Sequence, residues 1–564
     1  MTALAEPTTA QLTELRRRHG RPVATAMLAA AALHVIWALL ANDGGDIAAQ
    51  DAWAEFARAH PGSAYNLSWY GGMHTASYSL ISPFVMAAIG VRTTMVIAGT
   101  VSAGLLALLL VRSRAVARPI IPSLVGAVSL WGNAVSGRVT FGLGLAFGLG
   151  ALAVVFAWPS RWRTDGLSHR VPRGSLAALL ATLATASSPV AGLFLGIVAV
   201  GLWLGRRRAA AYALGIPPIA VVAFSALLFP FSGRQPMHWD SVVLPVLMGL
   251  VILWCTPRPW RAVRLGAGVY TVAVLAAWLV PSPVGTNIGR LGLIFGGVLL
   301  AAVMASGPLR SRRVAVVLVL ACLVSGTWQV ATAARDVVTT APDAAWSADL
   351  GSLVRQLQQR GADQGRIEVV PPKSHRDAAA LAPYFNLARG WNRQADAQRN
   401  PLFYDRDLPL TASDYRAWLD RWAVRYVVLS PGRVDDAAVE EAALVAGGLP
   451  FLKPVWSNSS WHLYEVTDPT PLVAPPARLL SFDDTTVTVE VPHPSDVLVR
   501  IPSSPWLTLI DADGDPLPAE RGCLSVQVHE GPPQDRWVVI EAPTTGTYRI
   551  SAPYSLRSGT RCPG

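Results

Sequence analysis

The chain has 564 residues, of which 52% are hydrophobic and only 15% charged; a soluble globular domain carries about 25% charged residues, so an all-aqueous fold is excluded. Its formal net charge is +11, yet many of the arginines responsible fall in short loops between apolar runs, so the charge marks no nucleic-acid surface. Apart from Lys373 and Lys453 every basic residue is arginine, a usage that points to a high-GC bacterial genome.

Taken in chain order, residues 1–22 are too polar for a signal-peptide core and read as a cytoplasmic tail. Residues 23–41 lack a small-residue cleavage site after them and read as an uncleaved signal anchor. Further apolar segments long enough, or nearly so, to cross about 30 Å of hydrocarbon are 94–111, 120–134, 140–158, 175–186, 190–205, 209–231, 241–255, 265–280, 291–306 and 314–332. With the first they make about eleven transmembrane helices, and the expected fold is an α-helical polytopic membrane domain over residues 23–332. Ser187, Ser188 and Pro189 split the block 175–205, because proline cannot continue a helix without losing a backbone bond, and such breaks point to a cavity. Gly142, Gly144, Gly148 and Gly150 read as a close-packing helix face rather than a nucleotide loop, since no strand precedes them. Cys255 and Cys322 read as buried apolar side chains.

Short cytoplasmic loops keep an excess of arginine. With the N-terminus inside, that side collects Arg16, Arg17, Arg18 and Arg21, then Arg112, Arg114 and Arg118, then Arg161, Arg163, Arg170 and Arg173. Arg206 to Arg208, then Arg258, Arg261 and Arg264, then Arg310, Arg312 and Arg313 join them, while the outer loops hold only Arg58, Arg92, Arg138, Arg234 and Arg290. The asymmetry implies an odd number of crossings of a bacterial cytoplasmic membrane and a C-terminal portion outside the cytoplasm.

That portion is patterned differently. Residues 333–468 read as an α/β domain, with strands at 367–370, 425–429, 451–456 and 461–466 and helices at 410–422 and 435–445. Residues 469–564 read as a β-rich domain of sandwich type, its strands at 486–491, 497–501, 508–510, 524–528, 538–541 and 548–551. Outside the cytoplasm, Cys523 and Cys562 are placed to pair as a disulfide that clamps the C-terminus. The run Asp511, Asp513, Asp515 has Gly522 where a calcium loop needs its closing Glu, so it reads as a turn. The histidines of this portion lack metal-ligand spacing, and no Gly-x-Ser-x-Gly appears.

The first outer loop, residues 43–83, is the most informative stretch. It gathers Asp43, Asp46, Asp51, Trp53 and Glu55, then Trp69, Tyr70, Gly71, Gly72 and His74. Asp51, Glu55 and Arg58 share one face of an amphipathic helix with Asp46 at its start. Two readings stay open: a reactive acidic site, or an N-cap at Asp46 followed by a solvated face. At this loop the sequence resembles the GT-C class of polytopic glycosyltransferases, in its odd helix count, its acidic first loop and its outer C-terminal domains; many members show adjacent acids, whereas here they are spaced.

The resemblance implies transfer of a sugar from a polyprenyl-phosphate donor to a cell-envelope glycan or lipid acceptor. Such a transfer needs a carboxylate to take the acceptor's proton and cations to hold the departing phosphate. Asp46 is the candidate base, with Asp51, Glu55 and His74 beside it as candidate substrate ligands. Arg138 and Arg290, the latter after Asn287, are candidate phosphate grips or interfacial anchors, the anchor reading being the stronger one for Arg138. Trp391, Arg393 and Asp396 form a candidate sugar platform, or an ordinary surface loop. No cofactor is demanded, although Asp43, Asp46 and Asp51 leave room for a divalent metal. A transporter and a non-catalytic envelope-assembly protein are the competing readings, the first expected to show two similar halves that the hydropathy does not.

Overall fold

The computed structural model describes residues 9–40, 44–158, 167–231, 233–307, 309, 311–340, 344–405, 407–531, 533–555 and 560–562. Expectations for Asp43, Arg161, Arg163 and Arg310, and for the side chains of Arg16, Arg17, Arg18 and Arg170, lie outside the described residues.

The chain opens with helices α1 (Thr9–Leu39) and α2 (Ile47–Ala59), then short strands β1 (Tyr65–Asn66) and β2 (Met73–His74) and helix α3 (Ser82–Ile89). A helical series follows: α4 (Val91–Ser113), α5 (Ile120–Val135), α6 (Val139–Phe156), α7 (Leu167–Ser187), α8 (Pro189–Leu204) and α9 (Arg208–Leu228). It continues through α10 (Trp239–Cys255), α11 (Arg261–Leu279), α12 (Gly289–Met304) and α13 (Arg312–Thr340). Each apolar segment of the sequence thus forms a helix, and the block 175–205 divides at Ser188, where the chain turns extended before Pro189. Among the described residues, seven helices are long and apolar enough to cross a membrane, and α5, α8 and α10 are shorter apolar ones.

Two compact units result. The helical unit comprises residues 1–42, 78–228 and 235–338. Its core is built from small and medium residues such as Ala30, Ala103, Ala127, Phe141, Ala191 and Ile294. Gly144 lies where a Cβ would meet Ala191 and the Ala184 carbonyl at 2.8 and 3.0 Å, the close approach that membrane helices obtain from small residues. Its outer faces carry Ile219, Leu227, Leu279 and Val330, all more than half exposed. An apolar exterior over several helices requires an apolar solvent, and the chain is a multi-pass membrane protein.

The second unit holds residues 229–234 and 339–564 together with 43–77. The helical unit therefore runs on to residue 338, and most of the acidic first loop folds with the C-terminal portion instead of with the helices it connects. The α/β part is built from α14 (Ala344–Gln359), β3 (Arg366–Val369), α15 (Arg376–Leu381), α16 (Arg393–Arg399) and α17 (Ala412–Arg421). β4 (Val424–Leu429), α18 (Val439–Gly447), β5 (Leu452–Ser457) and β6 (His462–Val466) complete it. The sheet order is β3-β4-β6-β5, with β3 and β4 parallel. Thr411 caps α17 by accepting from the Asp414 amide, whereas α18 begins at Val439 rather than at residue 435, because Asp435 is held by side chains described below.

The β part has strands β7 (Arg478–Phe482), β8 (Val487–Val491), β9 (Ser495–Pro502), β10 (Thr508–Ile510), β11 (Cys523–His529), β12 (Asp535–Ala542) and β13 (Gly546–Ser551). They form two antiparallel sheets, β10-β13-β8-β7 and β11-β12-β9. Alternating Val487, Val489 and Val491 face Val497, Val499 and Ile501 across one core, the packing of a β-sandwich. Cys523 and Cys562 are joined as a disulfide. The Asp511 turn is closed on itself, its carboxylate accepting from the Asp513 and Asp515 amides at 3.0 Å.

Candidate functional site

Helix α2 buries Ile47, Ala48, Ala49, Gln50, Ala54, Phe56 and Ala57 and turns Glu55 and Arg58 outward, as an amphipathic helix must. Asp46 stands at its N-cap, half-buried, and makes no capping bond to the helix amides. The Gly45 amide beside it donates to Thr340 Oγ1 at 2.6 Å. Asp51 receives Arg376 Nη1 at 2.7 Å, which ties α2 to the start of α15.

The rest of the loop is woven into the same unit. Trp69 pairs with Leu387, which in turn bridges to Ile367 of β3, so the loop extends the α/β sheet past its β3 edge. Trp69 Nε1 donates to the Ala378 carbonyl at 3.1 Å, and the Tyr70 hydroxyl donates to the Gly390 carbonyl at 2.8 Å. Gly71 and Gly72 adopt φ of +71° and +134°. A Cβ on Gly72 would enter the Tyr65 ring, and one on Gly71 would press on Trp422 and Pro502, so only glycine serves. Arg399 Nη1 donates to the Tyr70 and Gly72 carbonyls exposed by this turn, at 2.6 and 2.7 Å. Tyr65 and Leu67 enter the sandwich core.

His74 is held between Ser504 Oγ, 2.8 Å from Nε2, and the Pro230 carbonyl, 3.1 Å from Nδ1. Burial, with the Arg399 charge beside it, pushes its pKa down to about 4, so the ring is neutral at physiological pH and acts as a hydrogen-bonding strut.

The structure uses Trp391, Arg393 and Asp396 within the unit. Trp391 stacks on His375 at 3.6 Å. Arg393 forks onto both oxygens of Asp435 at 2.8 Å, and Asp396 is buried against Arg389, Asn400 and Tyr404. Asp435 also meets His375 Nε2 at 3.2 Å; burial works to raise its pKa, but the bonds from His375 and Arg393 outweigh that and hold it far below the usual carboxylate range. Burial likewise keeps His375 neutral, opposed by Asp435. His375 sits in the left-handed region at φ +52°. The loops after the parallel strands β3 and β4 carry His375 and Asp435, an encounter that 60 residues of separation hid from the sequence.

In the helical unit, Arg138 precedes α6 and lies 3.8 Å from Asp336 of α13. Asp336 also accepts from Ser136 Oγ at 2.6 Å. Arg138 therefore has a carboxylate partner of its own, which the sequence reading had not supplied. Asn287 is buried in the 3-10 turn Gly285–Ile288, and the Arg290 guanidinium lies over the Phe141 ring at 5.6 Å.

Of the three acids considered for a divalent metal, Asp46 and Asp51 are described, and Asp51 already faces the Arg376 cation, a poor donor set for a metal. Among the described residues the one grouping of ligand atoms close enough for an ion is Cys523, Glu541 and Cys562, and its sulfurs are joined to each other.

A family model described as a domain of unknown function, DUF8823, matches residues 474–564. No curated protein matches the chain. Among solved structures, the chain is similar to the arabinofuranosyltransferase AftD from Mycobacteria, at 14% identity and TM-score 0.41 over 84% of this chain, spanning 41% of that protein's length. It is similar to ArnT from Cupriavidus metallidurans bound to undecaprenyl phosphate, at 14% identity and TM-score 0.45 over 78% of this chain and 97% of the other. It is also similar to the Archaeoglobus fulgidus oligosaccharyltransferase, at 12% identity and TM-score 0.45 over 73% of this chain and 69% of the other.

Proposed function

We propose that the chain is a membrane glycosyltransferase of the GT-C type. More particularly, it moves a sugar from a polyprenyl-phosphate donor to a cell-envelope glycan or lipid on the outer face of a bacterial cytoplasmic membrane. The observation that carries this reading is the treatment of the acidic first loop. Residues 43–77 connect two membrane helices, yet they fold with residues 339–564, fixing Asp46 at the head of a helix that is itself tied down by Arg376 and Thr340. A general base must be held in one place to be effective, and pre-organisation by surrounding structure supplies that.

In this reading Asp46 accepts the proton of the acceptor hydroxyl as its oxygen attacks the sugar's anomeric carbon, and the donor phosphate leaves with the bonding pair, inverting the centre. Arg138 and Arg290 are the proposed phosphate grips, each able to fork onto phosphate oxygens. Asp51 acts through Arg376 as a positioning residue, and His74 as a strut.

The test is Asp46→Asn in the native host, compared with wild type at matched expression by envelope glycan profile and by polyprenyl-phosphate-sugar level. Loss of one glycan, on the order of 10²-fold or more in transfer rate, with build-up of a lipid-linked sugar is the expected result. A glycan lost on deletion of the whole chain but kept in Asp46→Asn would overturn the assignment and favour the transport or assembly readings.

A further inference from the structure

One cation and four acids meet in the interior of the C-terminal unit, and their hydrogen bonds do not match if all four acids are ionised. Arg389, Asp396, Glu441, Glu368 and Asp377 are buried, Glu368 and Glu441 completely. They arrive from separate elements: Glu368 from β3, Asp377 from α15, Asp396 from α16 and Glu441 from α18, while Arg389 lies on the loop before α16. Tyr415 of α17 and Tyr404 add hydroxyls, and the mutually neutralised group Arg393, Asp435 and His375 lies beyond.

The donors are unevenly shared. Arg389 gives Nε and Nη2 to Asp396 at 3.2 and 2.8 Å, and Nη1 to Glu441 Oε2 at 2.8 Å. Tyr415 donates to Glu441 Oε1 at 3.0 Å, and Tyr404 and Asn400 donate to Asp396, each at 2.8 Å. Those two acids are equipped as carboxylates. Glu368 is not: its Oε1 stands 3.9 Å from Arg389 Nη1, beyond hydrogen-bond reach, and among the described residues neither of its oxygens has a partner as a carboxylate. A fully buried carboxylate without a donor is the least favourable state available to it, whereas the neutral acid has an O–H to give.

We propose that Glu368 is a carboxylic acid at neutral pH whose proton is shared into the Glu441 carboxylate, and that this proton makes the C-terminal unit a pH-sensitive element that loosens as the outside becomes alkaline. Burial, then the Glu441 charge, pushes the Glu368 pKa well above its ordinary value. Burial raises Glu441 to about 7 against the pull of Arg389 and the Tyr415 and Glu368 bonds, and burial raises Asp377 to about 7. Raised values in the folded state mean that the folded unit keeps protons which the unfolded chain releases above its ordinary carboxylate range of about pH 4. The stabilisation is whole below that value and is lost as pH rises through about 7 and beyond. The effect has a route to the acidic loop, since Gly390 and Asn392, just after Arg389, hold the Tyr70 hydroxyl. The inference does not depend on the transfer reaction.

The experiment is infrared spectroscopy and thermal melting of the full chain in detergent, between about pH 5 and about pH 9, on wild type, Glu368→Gln and Asp377→Asn. Glutamine keeps a donor for Glu441 but cannot titrate. The expected result is a protonated-carboxyl C=O band in wild type at neutral pH that survives in Asp377→Asn and is diminished in Glu368→Gln, with a melting temperature that declines less steeply with pH in Glu368→Gln than in wild type. Absence of the band from wild type at neutral pH, or its undiminished presence in Glu368→Gln with a melting profile parallel to wild type, would overturn the proposal. Should Glu368→Gln fail to fold, persistence of the band in Asp377→Asn at neutral pH supports the proposal, and its loss there overturns it.

Discussion

Three threonine hydroxyls on helices of the helical unit bond to their own helix, Thr182, Thr185 and Thr271 donating to the carbonyls of Ala178, Ala181 and Ala267, each four residues back, while Ser82 and Ser136 reach Ser187 and Asp336. A buried charge in the C-terminal unit bonds across the fold, Arg389 reaching 7 and 52 residues along the chain to Asp396 and Glu441. The difference follows from solvent. A segment entering a bilayer meets no water, so local satisfaction is the safe arrangement. A segment folding in water remains solvated until its partners arrive, so distant groups can share one network.

Arg389 is the side chain whose removal costs the C-terminal unit most. Arg389→Leu strands Asp396 and Glu441 without their cation, and removal of one partner from a buried ion pair costs roughly 3–5 kcal/mol; the expected outcome is a C-terminal unit open to trypsin under conditions where wild type resists. Cys523→Ser comes next. The disulfide closes a loop of sequence separation 39, and loss of such a closure costs roughly 2–4 kcal/mol, to be read as a lowered melting temperature under oxidising conditions that matches wild type under reduction. Smallest is Thr182→Val in the helical unit, where the hydroxyl serves only its own helix; a change within about 0.6 kcal/mol is expected, measured by unfolding in mixed micelles. A large loss at Thr182 with none at Arg389 would reverse the contrast.

What the sequence made legible divides along the same line. Hydropathy located every helix of the apolar series, because a membrane helix is specified by its own composition. The strands of the sandwich were legible where residues alternate, as at Val487, Val489 and Val491; β7 was not, since Arg478–Phe482 buries only Phe482. The segment Trp391, Arg393 and Asp396 read as a sugar platform or a surface loop because polar and aromatic types resemble each other in both settings. Their actual partners, His375, Asp435, Arg389 and Glu441, are remote in sequence. One signal was present: Glu368 falls among Ile367, Val369 and Val370 in a segment read as a strand, and the strand β3 that forms there buries every residue, a placement that demands a compensating group. The acidic helix α2 and the position of Asp46 were legible from spacing, but the tie from Asp51 to Arg376, 325 residues on, was not.

The incorporation of residues 43–77 into the C-terminal unit also sets a timetable. Trp69 leaves the ribosome 309 residues before Ala378, the partner of its indole. At about 5–20 residues per second that interval is roughly 15–60 s. During it the loop's tryptophan, tyrosines and carboxylates wait between two inserted helices with their sheet not yet made. Assembly of the acidic loop is therefore a late event, completed when the last part of the chain is delivered, and a chain interrupted before residue 387 holds a finished helical bundle beside an unfinished loop.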